Sequence, residues 1–209
     1  MEIAETLALL QATEKMLDRF DQKHRFTAAD ICSMHRAWPG DIYPWASKYR
    51  QVMMMSKSGF PFAAPAYIPQ LMTGFEKESL ARHTPCAGDD STIALSLAIV
   101  HIEMVLIHAF REGNGRLARL LAIRMGLQAG LPMLIFDGME GERREAYFAA
   151  VRAGAGQEPA DGGYFRKDYR AEPGGSAGIK TLSCSCVSSC AVILIPSTAE
   201  EERTERSNA

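Results

Sequence analysis

The 209-residue sequence has no uninterrupted apolar run of about 18 residues, the length needed to cross a bilayer as a helix. Its opening, Met1-Glu2-Ile3-Ala4-Glu5, has no basic stretch ahead of its apolar residues, so no secretory leader is read there. A soluble, cytoplasmic protein with no membrane partner is the expectation. Charge of one sign is also lacking, since 23 Lys and Arg stand against 25 Asp and Glu, a net charge of −2. That balance gives no sequence-wide attraction to phosphate backbones, and nucleic acid is not expected as a partner. The five cysteines are an odd count, and without a secretory leader that argues against a disulfide framework. Cys184, Cys186 and Cys190 cluster late in the chain, but their spacing has neither the paired Cys-x-x-Cys nor the nearby His that zinc sites use.

A 47% hydrophobic content is enough for one substantial core and too little for two comfortable domains. From Glu2 to about Phe20, apolar residues recur at helical spacing (Ile3, Leu7, Leu10, Met16, Leu17, Phe20). Thr27 is a good N-cap with Asp30 in the capping-box position, so a second helix is expected to run through Ile31, Met34 and His35 until Pro39-Gly40 stops it. Tyr49 to Phe62, with a turn at Ser56-Lys57-Ser58-Gly59, reads as a β-hairpin. Helical period returns from Pro65 and ends before Pro85. Asp89-Asp90-Ser91 offers an N-cap for a segment from Ile93 to Phe110 that is hydrophobic on nearly every side, the expected buried centre of the fold. Further helices are predicted from near Arg116 to Ala129 and from about Gly141 to Ala153. The expected fold class is all-α with a single β-hairpin: an N-terminal helix over 1–26, the main domain over 27–153, and a poorly ordered tail over 154–209. In that tail glycine pairs accumulate and the apolar period is lost. A shifted reading frame over the tail is a second explanation, which the gene's nucleotide sequence would test.

Chemistry concentrates in His108-Ala109-Phe110-Arg111-Glu112-Gly113-Asn114-Gly115-Arg116-Leu117-Ala118-Arg119. A loop with two glycines leads into a helix N-terminus, where unpaired N–H groups and the positive end of the dipole favour an anion. Arg116 and Arg119, three apart, can add charge-assisted contacts to the same anion. Glu112 can hold a Mg²⁺ ion that bridges phosphate oxygens, and His108 can accept a proton near neutral pH. Each feature alone has an ordinary explanation: a structural histidine, a solvated basic face, a simple turn. Their convergence within twelve positions does not.

The run resembles the Fic family motif His-Pro-Phe-x-Asp/Glu-Gly-Asn-Gly-Arg-x-x-Arg at eight positions: His108, Phe110, Glu112, Gly113, Asn114, Gly115, Arg116 and Arg119. Ala109 departs from it, standing where the family has proline. Upstream, Met34-His35-Arg36, Gly40 to Ala46 and Tyr49-Arg50 look like the family's segment before its hairpin, and Ser56 to Ala63 resembles the hairpin flap. The resemblance spans about Thr27 to Ala153. It implies a Fic-type helical domain and a protein adenylyltransferase, which moves AMP from ATP to a Tyr, Thr or Ser hydroxyl of a target protein. His108 would be the catalytic base and Glu112 the Mg²⁺ ligand. Gly113, Asn114, Gly115, Arg116 and Arg119 would bind the nucleotide phosphates. The flap, with Lys57, Gly59 and Phe60, would align an extended target segment by strand addition; for Phe60 and Phe62 the competing explanation is ordinary packing. Tyr147 is a candidate for the wall that meets the base. The family's inhibitory Ser/Thr-x-x-x-Glu-Gly/Asn pattern is not found here, so a small antitoxin supplying that glutamate is one expectation and an altered regulatory piece the other. Transfer of UMP, GMP, a phosphoryl group or phosphocholine at the same site is the alternative activity, and a catalytically inert binding module the alternative class.

Overall fold

The computed structural model describes residues 11–154 apart from 12, 17, 39, 41, 55–61, 135 and 137–140. The described part is helical. The first helix, α1, is seen at the described positions between 11 and 19 and sends Met16 into the core, with Phe20 buried just after it. Helix α2, Ala28–Ala37, starts at the expected capping box: Thr27 accepts from the Asp30 amide, and the Asp30 carboxylate accepts from the Thr27 amide. Its N-terminus gains a second carboxylate from another element, because Glu76 Oε2 accepts from the Ala28 amide at 2.7 Å.

The rod that follows begins as a 3₁₀ turn at Pro65–Tyr67 and becomes α3, Ile68–Gly74. It then widens into a π-helical stretch over Phe75–Leu80 and closes as Ala81–His83. The extra residue per turn lets Phe75, Ser79 and Leu80 all face inward. Helix α4, Asp90–Ile107, is capped by Asp89, which accepts from the Thr92 amide at 2.8 Å. It packs most extensively on α5, Asn114–Gln128, and also against α6, Gly141–Gly154, and the π-helical stretch. By length and apolar composition α4 could cross a membrane, yet most of it is enclosed by these neighbours, and it buries His101 and Glu103. The C-terminal half of α5 ties down the start of the chain: Arg124 donates to the Phe20 carbonyl and Gln128 to the His24 carbonyl, while Gln128 also accepts from the Cys86 amide.

One expectation changes and one, the hairpin, is not confirmed. The helix predicted to reach Phe110 ends at Ile107, because His108 turns left-handed at φ 50° and caps the helix by donating its amide to the Met104 carbonyl. The predicted hairpin shows no strand among the described residues. Its described ends are joined by one bond, from the Phe62 amide to the Met54 carbonyl at 3.1 Å. Lys57, Gly59 and Phe60 lie outside the described residues, as do the N-terminal residues before 11 and the tail beyond 154.

Candidate active site

The loop between α4 and α5 is fixed from within by Asn114. Its side-chain oxygen accepts from the Phe110 amide at 2.9 Å, and its side-chain nitrogen donates to the Phe110 carbonyl at 2.8 Å. The amide thus replaces a peptide partner across the loop, so the Asn114 side chain holds the shape of the turn. Phe110 is fully buried, and its ring stacks on His35 with centroids 4.0 Å apart. His35 was not singled out as a site residue, yet it spans the loop. Its Nε2 donates to the Glu112 carbonyl at 3.0 Å and its Nδ1 accepts from the Ser47 amide at 2.9 Å, an arrangement that requires the neutral ring. Burial lowers its pKa, which keeps that form in place.

Gly113 begins α5 in the left-handed region at φ 82°, with Trp38 packed beneath it. The first amides of α5 have no intrahelical acceptors, so the turn presents N–H groups at the positive end of the helix dipole. Over Gly115 a Cβ would have no neighbour within 4 Å, which leaves room for a ligand to approach the backbone. Arg116 lies across the Trp38 ring with its guanidinium 4.7 Å from the centroid. Among the described residues the one ion pair is His24 with Asp30, so Arg116 and Arg119 are not neutralised by carboxylates. Glu112 is exposed and caps the turn by accepting from the Gly113 amide at 3.0 Å. No three His, Cys, Asp or Glu side chains gather into a metal cage among the described residues. One exposed carboxylate suits Mg²⁺, which is commonly held by one or two carboxylates together with water and substrate phosphates.

His108 stands at the entry to this loop. Its Nδ1 lies 3.2 Å from the Val105 carbonyl, a partner that can only accept, so Nδ1 carries the proton and Nε2 is the basic nitrogen. The ring stacks on Phe62 with centroids 3.7 Å apart. Burial, opposed by the Val105 bond and aided by the nearby Arg50 charge, lowers its pKa to about 4, so the imidazole is neutral at neutral pH. Arg50 donates to the carbonyl of His108 itself. The hydroxyl of Tyr147, half-buried on α6, shares a 2.9 Å hydrogen bond with His101 Nε2, which joins α6 to α4. The fold therefore brings His108, Glu112, Gly113, Asn114, Gly115, Arg116 and Arg119 onto one turn and the helix that follows it.

The Fic/DOC family model matches residues 25–125, a span that contains α2, the rod, α4 and most of α5. The chain is 31% identical over 134 residues to a protein adenylyltransferase fic-1 of Caenorhabditis briggsae, covering 62% of this chain and 24% of that protein. It is also 31% identical over 137 residues to a protein adenylyltransferase Fic of Nematostella vectensis, covering 65% of this chain and 31% of that protein. The chain thus spans about a quarter to a third of the length of these relatives. Among solved structures, the BepC protein of Bartonella tribocorum, crystallised with bound AMPPNP, superimposes with a TM-score of 0.58 at 18% identity. That match covers 79% of this chain and 82% of that one, a likeness of fold. Residues 25–125 are thus a region of the Fic/DOC family.

Proposed function

We propose that this domain is a protein adenylyltransferase that moves AMP from ATP to a Tyr, Thr or Ser hydroxyl of a target protein, with His108 as general base. The observation that carries the reading is the position of a neutral His108, with Nδ1 turned to the Val105 carbonyl, at the head of a glycine turn that opens a helix N-terminus flanked by Arg116 and Arg119. Relatives named protein adenylyltransferases, about 31% identical over the matched residues, support the choice of AMP.

In this reaction the target hydroxyl gives its proton to His108 Nε2 as its oxygen attacks the α-phosphorus. The bond from that phosphorus to the bridging oxygen of pyrophosphate breaks, and pyrophosphate leaves with the electron pair. Backbone amides at the start of α5 receive the β-phosphate, and Arg116 and Arg119 neutralise charge as it builds on the leaving group. Glu112 would hold Mg²⁺, whose contribution when bound is to neutralise phosphate oxygens. A free-site pKa of about 4 makes His108 fully available as an acceptor but a weak base. Phosphate charge beside the ring raises that value toward the working pH, because a nearby anion favours the imidazolium.

The test uses the full chain with Mg²⁺, host lysate and ATP labelled at the α- or the γ-phosphate. Label reaching protein from the α-position alone is the expected result. Transfer from the γ-position would mean phosphoryl transfer, and transfer from neither, by a protein with a cooperative unfolding transition, would favour a binding role.

A further inference from the structure

We infer that Arg50 is a positioning residue for His108: its single guanidinium ties the His108 carbonyl to the carbonyls of Val52 and Ala63, and so holds the imidazole and the Phe62 ring stacked on it in one arrangement. The contacts run from Nε to the His108 carbonyl at 2.7 Å, from Nη1 to the Val52 carbonyl at 2.7 Å and from Nη2 to the Ala63 carbonyl at 2.5 Å. The Arg50 amide adds a fourth, to the Ala109 carbonyl at 2.9 Å. Four backbone oxygens on two sides of the loop entry are thus gathered by one residue.

Two features separate this from ordinary packing. Arg50 is 3% exposed and has no carboxylate partner, since the only ion pair among the described residues is His24 with Asp30. Burying an uncompensated guanidinium is costly, and a merely structural tie could be made with neutral groups. The second feature is what it holds. His108 is one of two non-glycine residues with positive φ among those described, a conformation that persists only where its surroundings enforce it. Arg50 bonds the carbonyl of that residue, and Ala63, which it also bonds, adjoins the phenylalanine that lies flat on the imidazole. The loop from Arg50 through Ala63, Phe62 and His108 back to Arg50 is closed. Only a planar fork with donors on three nitrogens reaches all three carbonyls, and a lysine ammonium does not share that geometry. Its positive charge beside the ring also favours the neutral, proton-accepting imidazole.

The link to turnover rests on the reading of His108 as the base. The test therefore has one readout that needs no reaction. Arg50→Lys and Arg50→Met are made in the full chain. Affinity for a non-hydrolysable ATP analogue is measured by calorimetry, the apparent kcat and KM for ATP by label transfer to lysate protein, and the His108 tautomer by nitrogen-15 resonance. The expected result is analogue affinity and KM within about twofold of the parent, with kcat lowered on the order of a hundredfold, as for an ångström-scale misplacement. The Nδ1–H tautomer should lose its dominance, and lysine should not rescue. Unchanged kcat with an unchanged tautomer would overturn the inference. So would a joint fall of affinity, kcat and thermal stability with the tautomer intact, the pattern of a general structural role. If the parent transfers nothing, the adenylyltransferase reading fails while the tautomer comparison still decides Arg50. If Arg50→Met does not fold, Arg50→Lys carries the test.

Discussion

At Gly113 one hydrogen atom in place of a side chain decides whether the loop can form. The backbone is left-handed there, and a Cβ would sit 2.1 Å from Cζ3 of Trp38. Gly113→Ala is therefore expected to cost on the order of 2–4 kcal/mol, combining left-handed strain with an overpacked ring. A urea melt of the variant would measure this, and a loss below about 0.5 kcal/mol would show that Trp38 yields freely. The sequence already marked Gly113 as part of a flexible turn, but the Trp38 ring beneath it, brought from the end of α2, leaves no local trace. Arg50 and His35 were equally hard to read. Both act across long stretches of chain on backbone carbonyls, Arg50 on His108 and His35 on Glu112, and periodicity reports only near neighbours. For Asn114 the residue was legible as part of the site while the use of its side chain was not, since nothing in a Gly-Asn-Gly run says that the amide folds back on Phe110.

Among the elements, α4 carries an unresolved tension. It reads as an almost uniformly apolar helix, yet it buries Glu103, with one carboxylate oxygen bonded by Ser79 and the other without a partner. Burial pushes the Glu103 pKa up to about 7, so between the ordinary carboxylate value and 7 the native state binds a proton that the unfolded chain does not. Stability contributed by Glu103 is therefore lost as pH rises through that window. The histidines oppose it. Burial lowers the pKa of His101 and of His108 to about 4, and lowers those of His35 and His83 as well. Between about 4 and the ordinary value near 6.5 the unfolded chain binds the extra protons, and stability rises with pH. The two trends overlap between the ordinary carboxylate value and about pH 7, where the lowered histidines outnumber the one raised carboxylate. Glu103→Gln, which mimics the protonated acid, is expected to remove the opposing loss and so to steepen the rise of stability with pH. Thermal melts at pH 6 and pH 8 should show a larger gain with pH for the variant than for the parent. An equal change in both would move the cause away from Glu103. The π-helical turn that delivers Ser79 to this carboxylate was invisible for a related reason, because an inserted residue changes the register without changing the apolar composition.

Seen as a whole, the molecule gathers its candidate chemistry at the turn between its two most closely packed helices, α4 and α5. The capping box at Thr27, the Asp89 cap and the apolar run of α4 were readable as local signals, and they fix where α2 and α4 begin. The end of α4 was read three residues late, since the left-handed turn falls on a histidine rather than a glycine. That shift matters, because it moves His108 out of the helix to the head of the glycine loop that opens α5. The central claim is that His108 acts on the bound nucleotide's reaction partner rather than on nucleotide binding itself. Its most direct test is His108→Ala in the full chain, with ATP affinity measured by calorimetry beside transfer of α-label to protein. Affinity within about threefold of the parent, with transfer reduced by at least about a hundredfold, is the predicted result. Transfer that survives the substitution, or affinity and transfer lost together, would contradict it.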